Sequence, residues 1–163
     1  MIIVKKNGSL KYKNLKFRCS LGKAGIKKKI REGDNITPKG TFKLLNVFYR
    51  ADKIKKIKTK LNKIKIKKNF GWCDDAKSKF YNKLVRLPFI GSYEKLYRRD
   101  SIYDLLIVLN YNTNPIIKNK GSAIFIHIAK QKFSNTAGCI ALKKKDLLIL
   151  LANIKKNTKI KIQ

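Results

Sequence analysis

The sequence predicts a mainly β domain carrying one well-marked helix. Short apolar or alternating runs recur along the whole chain, and Gly, Asn and Pro punctuate them at turn-forming positions. Only one segment has the spacing of a long helix. Near 143–154, Leu147, Leu150, Leu151 and Ile154 fall at i, i+3, i+4 and i+7, a single face of a 3.6-residue period.

Ile2-Ile-Val-Lys-Lys6, the dipeptide Asn7-Gly8 and the alternation through Leu10, Tyr12, Leu15 and Phe17 predict a hairpin followed by a further strand. Glycines 22, 25, 33 and 40, with Pro38, make 21–40 a loop system. Thr41–Tyr49 resumes as strand. Residues 53–68 begin with helical spacing and finish with alternation, so their structure stays open. An irregular middle follows, marked by Gly71-Trp-Cys-Asp-Asp75 and Arg86-Leu-Pro-Phe89. Leu105–Tyr111 and Ser122–Ala129 are short apolar runs that read as buried strands. After the helix, Thr158-Lys-Ile-Lys-Ile162 alternates as a closing strand.

The 163 residues carry 41 Lys and Arg against 9 Asp and Glu, a net charge of +32. The length suits one domain over 1–163, with 53–70 as a candidate basic insertion. Leu, Ile, Phe and Val are spread throughout, which excludes a disordered basic tail. No apolar run reaches the roughly 18–20 residues of a membrane span. The opening Met1-Ile-Ile-Val-Lys-Lys-Asn-Gly8 has no apolar stretch of signal-peptide length. On this reading the protein acts where it is made or is exported by a route the sequence does not display.

The charge admits three readings: nucleic-acid binding, attraction to another polyanion, or a solvated Lys surface. Lys alternates with Ile almost everywhere, which favours the third. A basic nucleic-acid-binding protein remains the competing function, and a non-catalytic wall-binding module the next.

Cys19, Cys73 and Cys139 are an odd number without a CxxC pair, and His127 is the single histidine. A disulfide framework and a structural zinc site both need more partners, so neither metal nor cofactor is implied. What the set can support is a cysteine nucleophile with a histidine base. His127 ends an apolar strand, and Cys139 follows Ser134-Asn-Thr-Ala-Gly138. A turn through Gly138 lets backbone N–H groups face a developing oxyanion, and the surrounding positive field would favour thiolate. A buried structural Cys beside an incidental His is the plain alternative on spacing alone.

Ala123-Ile-Phe-Ile-His-Ile-Ala129 and Ser134-Asn-Thr-Ala-Gly-Cys-Ile-Ala-Leu142 resemble the catalytic motif of the L,D-transpeptidases (YkuD-type domain). That motif places a histidine after an apolar strand, then Ser or Thr, one residue, Gly, Cys and Ile or Val. Leu21-Gly-Lys-Ala-Gly-Ile26 and Glu32-Gly-Asp-Asn-Ile-Thr-Pro-Lys-Gly-Thr-Phe42 are similar to the family's upstream elements, in family order. The middle resembles its compact members. Two departures stand out: Ala137 replaces the usual His two residues before the nucleophile, and Ala141 the common Arg two residues after it.

The resemblance implies a β-sandwich with a few short helices and a cysteine acyltransferase acting on peptidoglycan stem peptides as donor and acceptor. Cys139 would form a thioester, His127 would serve as base, and the N–H groups of Gly138 and Cys139 would hold the oxyanion. A second stem would resolve the thioester into a 3–3 or 1–3 cross-link; water would make the enzyme a carboxypeptidase. Arg86, Trp72, Asp74, Tyr93 and Thr136 are the substrate-binding candidates, and Cys19 and Cys73 fall to packing. The substrate implies the bacterial cell envelope, while the missing signal leaves cytoplasmic action open.

Overall fold

The structure is a computed structural model describing residues 1–163. It is mainly β, as the patterning predicts. The elements are β1 (Ile2–Lys5), β2 (Ser9–Tyr12), β3 (Leu15–Ser20), β4 (Ile26–Lys27), β5 (Thr37–Pro38) and β6 (Gly40–Tyr49). Then come β7 (Lys63–Lys65), β8 (Phe70–Cys73), β9 (Leu84–Arg86), β10 (Tyr93–Lys95), β11 (Leu105–Leu109) and β12 (Phe125–Ile128). The chain ends with β13 (Ile140–Leu142), α1 (Lys144–Asn153) and β14 (Lys159–Ile162).

Nine strands form one sheet in the order β11-β12-β13-β3-β2-β1-β14-β6-β7, and β11 also pairs with β6. That last pairing closes the sheet on itself like a barrel. Closure is possible because β6 is long: Gly40–Lys43 pair with β14, and Leu44–Tyr49 with β11. A separate three-stranded sheet, β10-β8-β9, packs outside.

The closed sheet encloses the larger core, into which β11 sends Leu105, Ile107 and Leu109, and β12 sends Ile126 and Ile128. Leu106, Val108 and Phe125 point the opposite way, into a second cluster with Phe48, Trp72 and Leu96 beneath the small sheet. Both faces of β11 are therefore buried. This is why its run is continuously apolar rather than alternating.

The helix lies where the spacing places it. Leu147, Leu150 and Leu151 are fully buried, and Ile154 follows as its C-terminal cap. The open segment 53–68 is mostly a non-repetitive strap that pins Ile54, Ile57 and Leu61 into the larger core before β7 forms. Its lysines face outward. The predicted strand at Ser122 starts three residues later, at Phe125, because Ala123 adopts φ +51 and breaks the extended run.

Candidate active site

Strand alternation puts His127 and Ala141 on one face. β12 and β13 are parallel, with Ile126 opposite Ile140 and His127 opposite Ala141. Ile126 and Ile140 enter the larger core, so His127 and Ala141 face outward, and Cys139, just before β13, faces the second cluster. His127 and Cys139 both line a cleft of about 470 Å³ between the closed sheet and the small sheet.

The Cys139 thiol donates to the Ala123 carbonyl at 3.1 Å, and Sγ accepts from the Phe125 N–H at 3.4 Å. Its position depends on Ala123, whose N–H in turn donates to Asn82 Oδ1 at 3.0 Å. Asn82 also accepts from Trp72 Nε1 and donates to the carbonyls of Tyr111 and Asn112. All four hydrogen-bonding positions of this buried amide are used. Asn82→Ala would strand two donors and two acceptors, and unfolding should require about 2–4 kcal/mol less free energy. Chemical denaturation of the two proteins checks this.

His127 is 7% exposed, and its Nδ1 lies 2.9 Å from the Ile128 carbonyl. A carbonyl can only accept, so Nδ1 carries the proton and Nε2 is left with a lone pair. Tyr103 holds the ring from the side, edge to face, at 5.4 Å between centroids. Burial pushes the imidazole pKa down to about 4. Burial likewise pushes the Cys139 thiol up to about 12, although the Phe125 N–H works against it. The resting pair is thus neutral thiol and neutral imidazole; desolvation outweighs the field of distant lysines that favoured a thiolate. No hydrogen bond joins the two side chains; the thiol instead donates to the Ala123 carbonyl.

The turn carrying Gly138 and Cys139 is built from segments far apart in sequence. Thr136 N–H donates to the Leu21 carbonyl and Lys23 N–H to the Thr136 carbonyl, while Gly22 N–H donates to the buried Thr37 hydroxyl. A Cβ on Gly22 would collide with the Asn35 oxygen, and one on Gly138 would stand 2.8 Å from the Ile36 oxygen. Glycines at 22 and 138 are therefore required by close backbone approach. Thr136 Oγ1 donates to the Cys139 carbonyl at 2.6 Å and accepts from the Gly138 N–H at 3.1 Å. Its hydroxyl is committed to holding the turn. The Cys139 N–H has no acceptor within the chain.

The other candidates separate. Asp74 and Thr136 line the cleft. Trp72 is buried in the second cluster, edge to face with Phe48 and Phe125, so it shapes the wall from behind. Arg86 and Tyr93 are exposed on β9 and β10 and do not line the cleft. The cations that do are Lys29, Arg98 and Lys130, and the acids are Glu32, Asp74 and Glu94. Arg98 is held by Asp100 and lies over the Tyr103 ring, and Tyr103 donates to Glu94. Burial raises the Glu94 pKa, with the nearby Asp74 charge adding to it.

The family model for the YkuD-type L,D-transpeptidase catalytic domain matches residues 1–162. No curated protein and no solved structure matches the chain.

Proposed function

This chain belongs to the L,D-transpeptidase catalytic-domain family, and from that premise we propose that it is a cysteine acyltransferase joining peptidoglycan stem peptides through a thioester on Cys139. The observation that carries the reading is the placement of Cys139 and an unprotonated His127 Nε2 on one cleft. The cleft's charge supports a peptide substrate. Three of the nine acidic residues of a strongly basic chain line it, beside Lys130, the one lining cation not already paired to an aspartate as Lys29 is to Asp34 and Arg98 to Asp100. That balance suits a substrate bearing both ammonium and carboxylate groups.

Cys139 Sγ attacks the carbonyl of an L-centre in the donor stem while His127 Nε2 takes the thiol proton. The attack breaks the thiol's bond to Ala123. The Cys139 N–H, free of other acceptors, donates to the oxyanion. His127 returns its proton to the departing amine, leaving a thioester. An acceptor amine then attacks the thioester, His127 takes its proton, and the sulfur departs with the new amide formed. Water in the acceptor's place gives L,D-carboxypeptidase activity. The substrate places this action at the bacterial cell wall. No helix is long and apolar enough to cross a membrane.

Incubation with purified muropeptides and mass spectrometry of the products tests the reading. Cross-linked dimers support transfer, trimmed monomers support hydrolysis, and unchanged substrate without an acyl adduct on Cys139 overturns both. The pH dependence gives a second test. Protonating His127 removes the base, so kcat/KM should fall as pH drops through about 4, where the buried imidazole titrates. An ordinary histidine would place that limb near about 6.5. The thiol, pushed up to about 12, should give no thiolate absorbance at neutral pH.

A further inference from the structure

The strap at 53–68 and helix α1 meet in a groove of about 660 Å³, on the side of the molecule that holds the larger core. Both elements send apolar side chains inward: Ile54, Ile57 and Leu61 from the strap, and Leu147, Leu150 and Leu151 from the helix. Left on the outer surface are the half-buried Leu148 and Ile149 and the exposed Ala152, which form the apolar part of the groove. Its remaining lining is entirely cationic: Lys56 and Lys58 from the strap, and Lys144 and Lys145 from the first turn of α1. No acidic side chain lines it. The exposed Lys55 and Lys60 extend the positive face along the strap.

We infer that this face docks the protein on an anionic phospholipid surface, with the four lysine ammonium groups on headgroup phosphates and the Leu148–Ile149–Ala152 floor against the lipid's apolar region. Charge complementarity selects the partner's sign, and the apolar floor selects its chemistry. Lysine stems lie along apolar surface while their ammonium groups reach out to phosphate. A nucleic acid fits the face less well. Residues 53–68 and 143–156 contain no aromatic side chain on which a base could stack, and no arginine for two-pronged phosphate contact.

Flotation with vesicles tests this independently of the catalytic reading, since no turnover is measured. Wild-type protein should float with an equimolar mixture of phosphatidylglycerol and phosphatidylcholine at about 0.15 M salt, and stay behind with phosphatidylcholine alone. Replacing Lys56, Lys58, Lys144 and Lys145 together by Gln should weaken vesicle binding roughly 100- to 1,000-fold. Removing the same charge around the small sheet, at Lys77, Lys83, Lys95 and Lys118, should weaken it less than about tenfold. All eight side chains are exposed, and unchanged melting temperatures confirm that both variants fold. Equal losses in the two variants would mean diffuse charge rather than a face, and would overturn the proposal. So would failure of the wild type to float. If the groove variant loses affinity for a single-stranded oligothymidine but keeps its vesicle binding, the face belongs to nucleic acid.

Discussion

Cys139→Ala should lower muropeptide turnover by about 10⁴-fold or more while leaving the fold in place, because in the proposed mechanism the sulfur is both the attacking atom and the acyl carrier. The structural cost is small. The side chain is compact, and its two polar contacts are one thiol bond to Ala123 and one long bond from the Phe125 N–H. Losing them should change stability by about 1 kcal/mol. Single-turnover assays and thermal melts on the same preparation separate the two quantities. Retained turnover would move the nucleophile elsewhere, yet Cys19 and Cys73 are buried and neither lines the cleft. Acylating carbapenems, which the family resemblance implies as reagents, should label Cys139 and spare the other two.

Gly138→Ala should damage stability and catalysis together. Gly138 sits at φ +138, and an added Cβ would stand 2.8 Å from the Ile36 oxygen, a backbone atom that cannot swing aside. Relief requires the turn to lift from the 35–37 segment. We expect a loss of about 2–4 kcal/mol in stability and at least about 100-fold in kcat, since Cys139 Sγ and its N–H move with the turn. Gly25→Ala is the control: it also has positive φ, at +76, but nothing lies within 4 Å of its Cβ position. That substitution should cost only about 1 kcal/mol and leave kcat near wild type. Indistinguishable melting curves for the two variants would refute the contact with Ile36.

The strands with strict patterning were legible in the sequence, and so was α1, because its four apolar positions all reach the core. The strap was not. Ile54, Ile57 and Leu61 are spaced by the distances between sockets in the core rather than by a helix or a ladder, so neither period holds across them. At the site, His127 and Cys139 could be singled out because each stands out in type and setting, one the lone histidine and the other following a Gly turn. Arg98 and Lys29 could not, because two cations among 41 carry no mark of their own. The acids offered a signal that went unused. With only nine in the chain, Glu32 and Glu94 were conspicuous by rarity, and both line the cleft. Arg86 stands near Trp72 and Asp74 in sequence, whereas strand alternation turns it to solvent.

The pairing of Ile2 with Ile160 places β1 between β2, its immediate neighbour in sequence, and β14, whose Ile160 is synthesised 158 residues later. At ribosomal speeds of roughly 5–20 residues per second, β1 waits on the order of ten seconds for that second neighbour. During translation its outer edge is an apolar strand with unanswered N–H and C=O groups, the kind of surface that recruits a strand from another nascent chain. Lys5 and Lys6 sit at the end of β1, and Lys159 and Lys161 alternate along β14. In the native register of β1 on β14, Lys161 stands beside Ile3 and no lysine faces another. Two nascent copies of β1 would instead bring Lys5 and Lys6 of both chains together, and like charges make that pairing costly. Part of the lysine excess would then serve a molecule that is not yet folded, by keeping the edge of β1 free for β14.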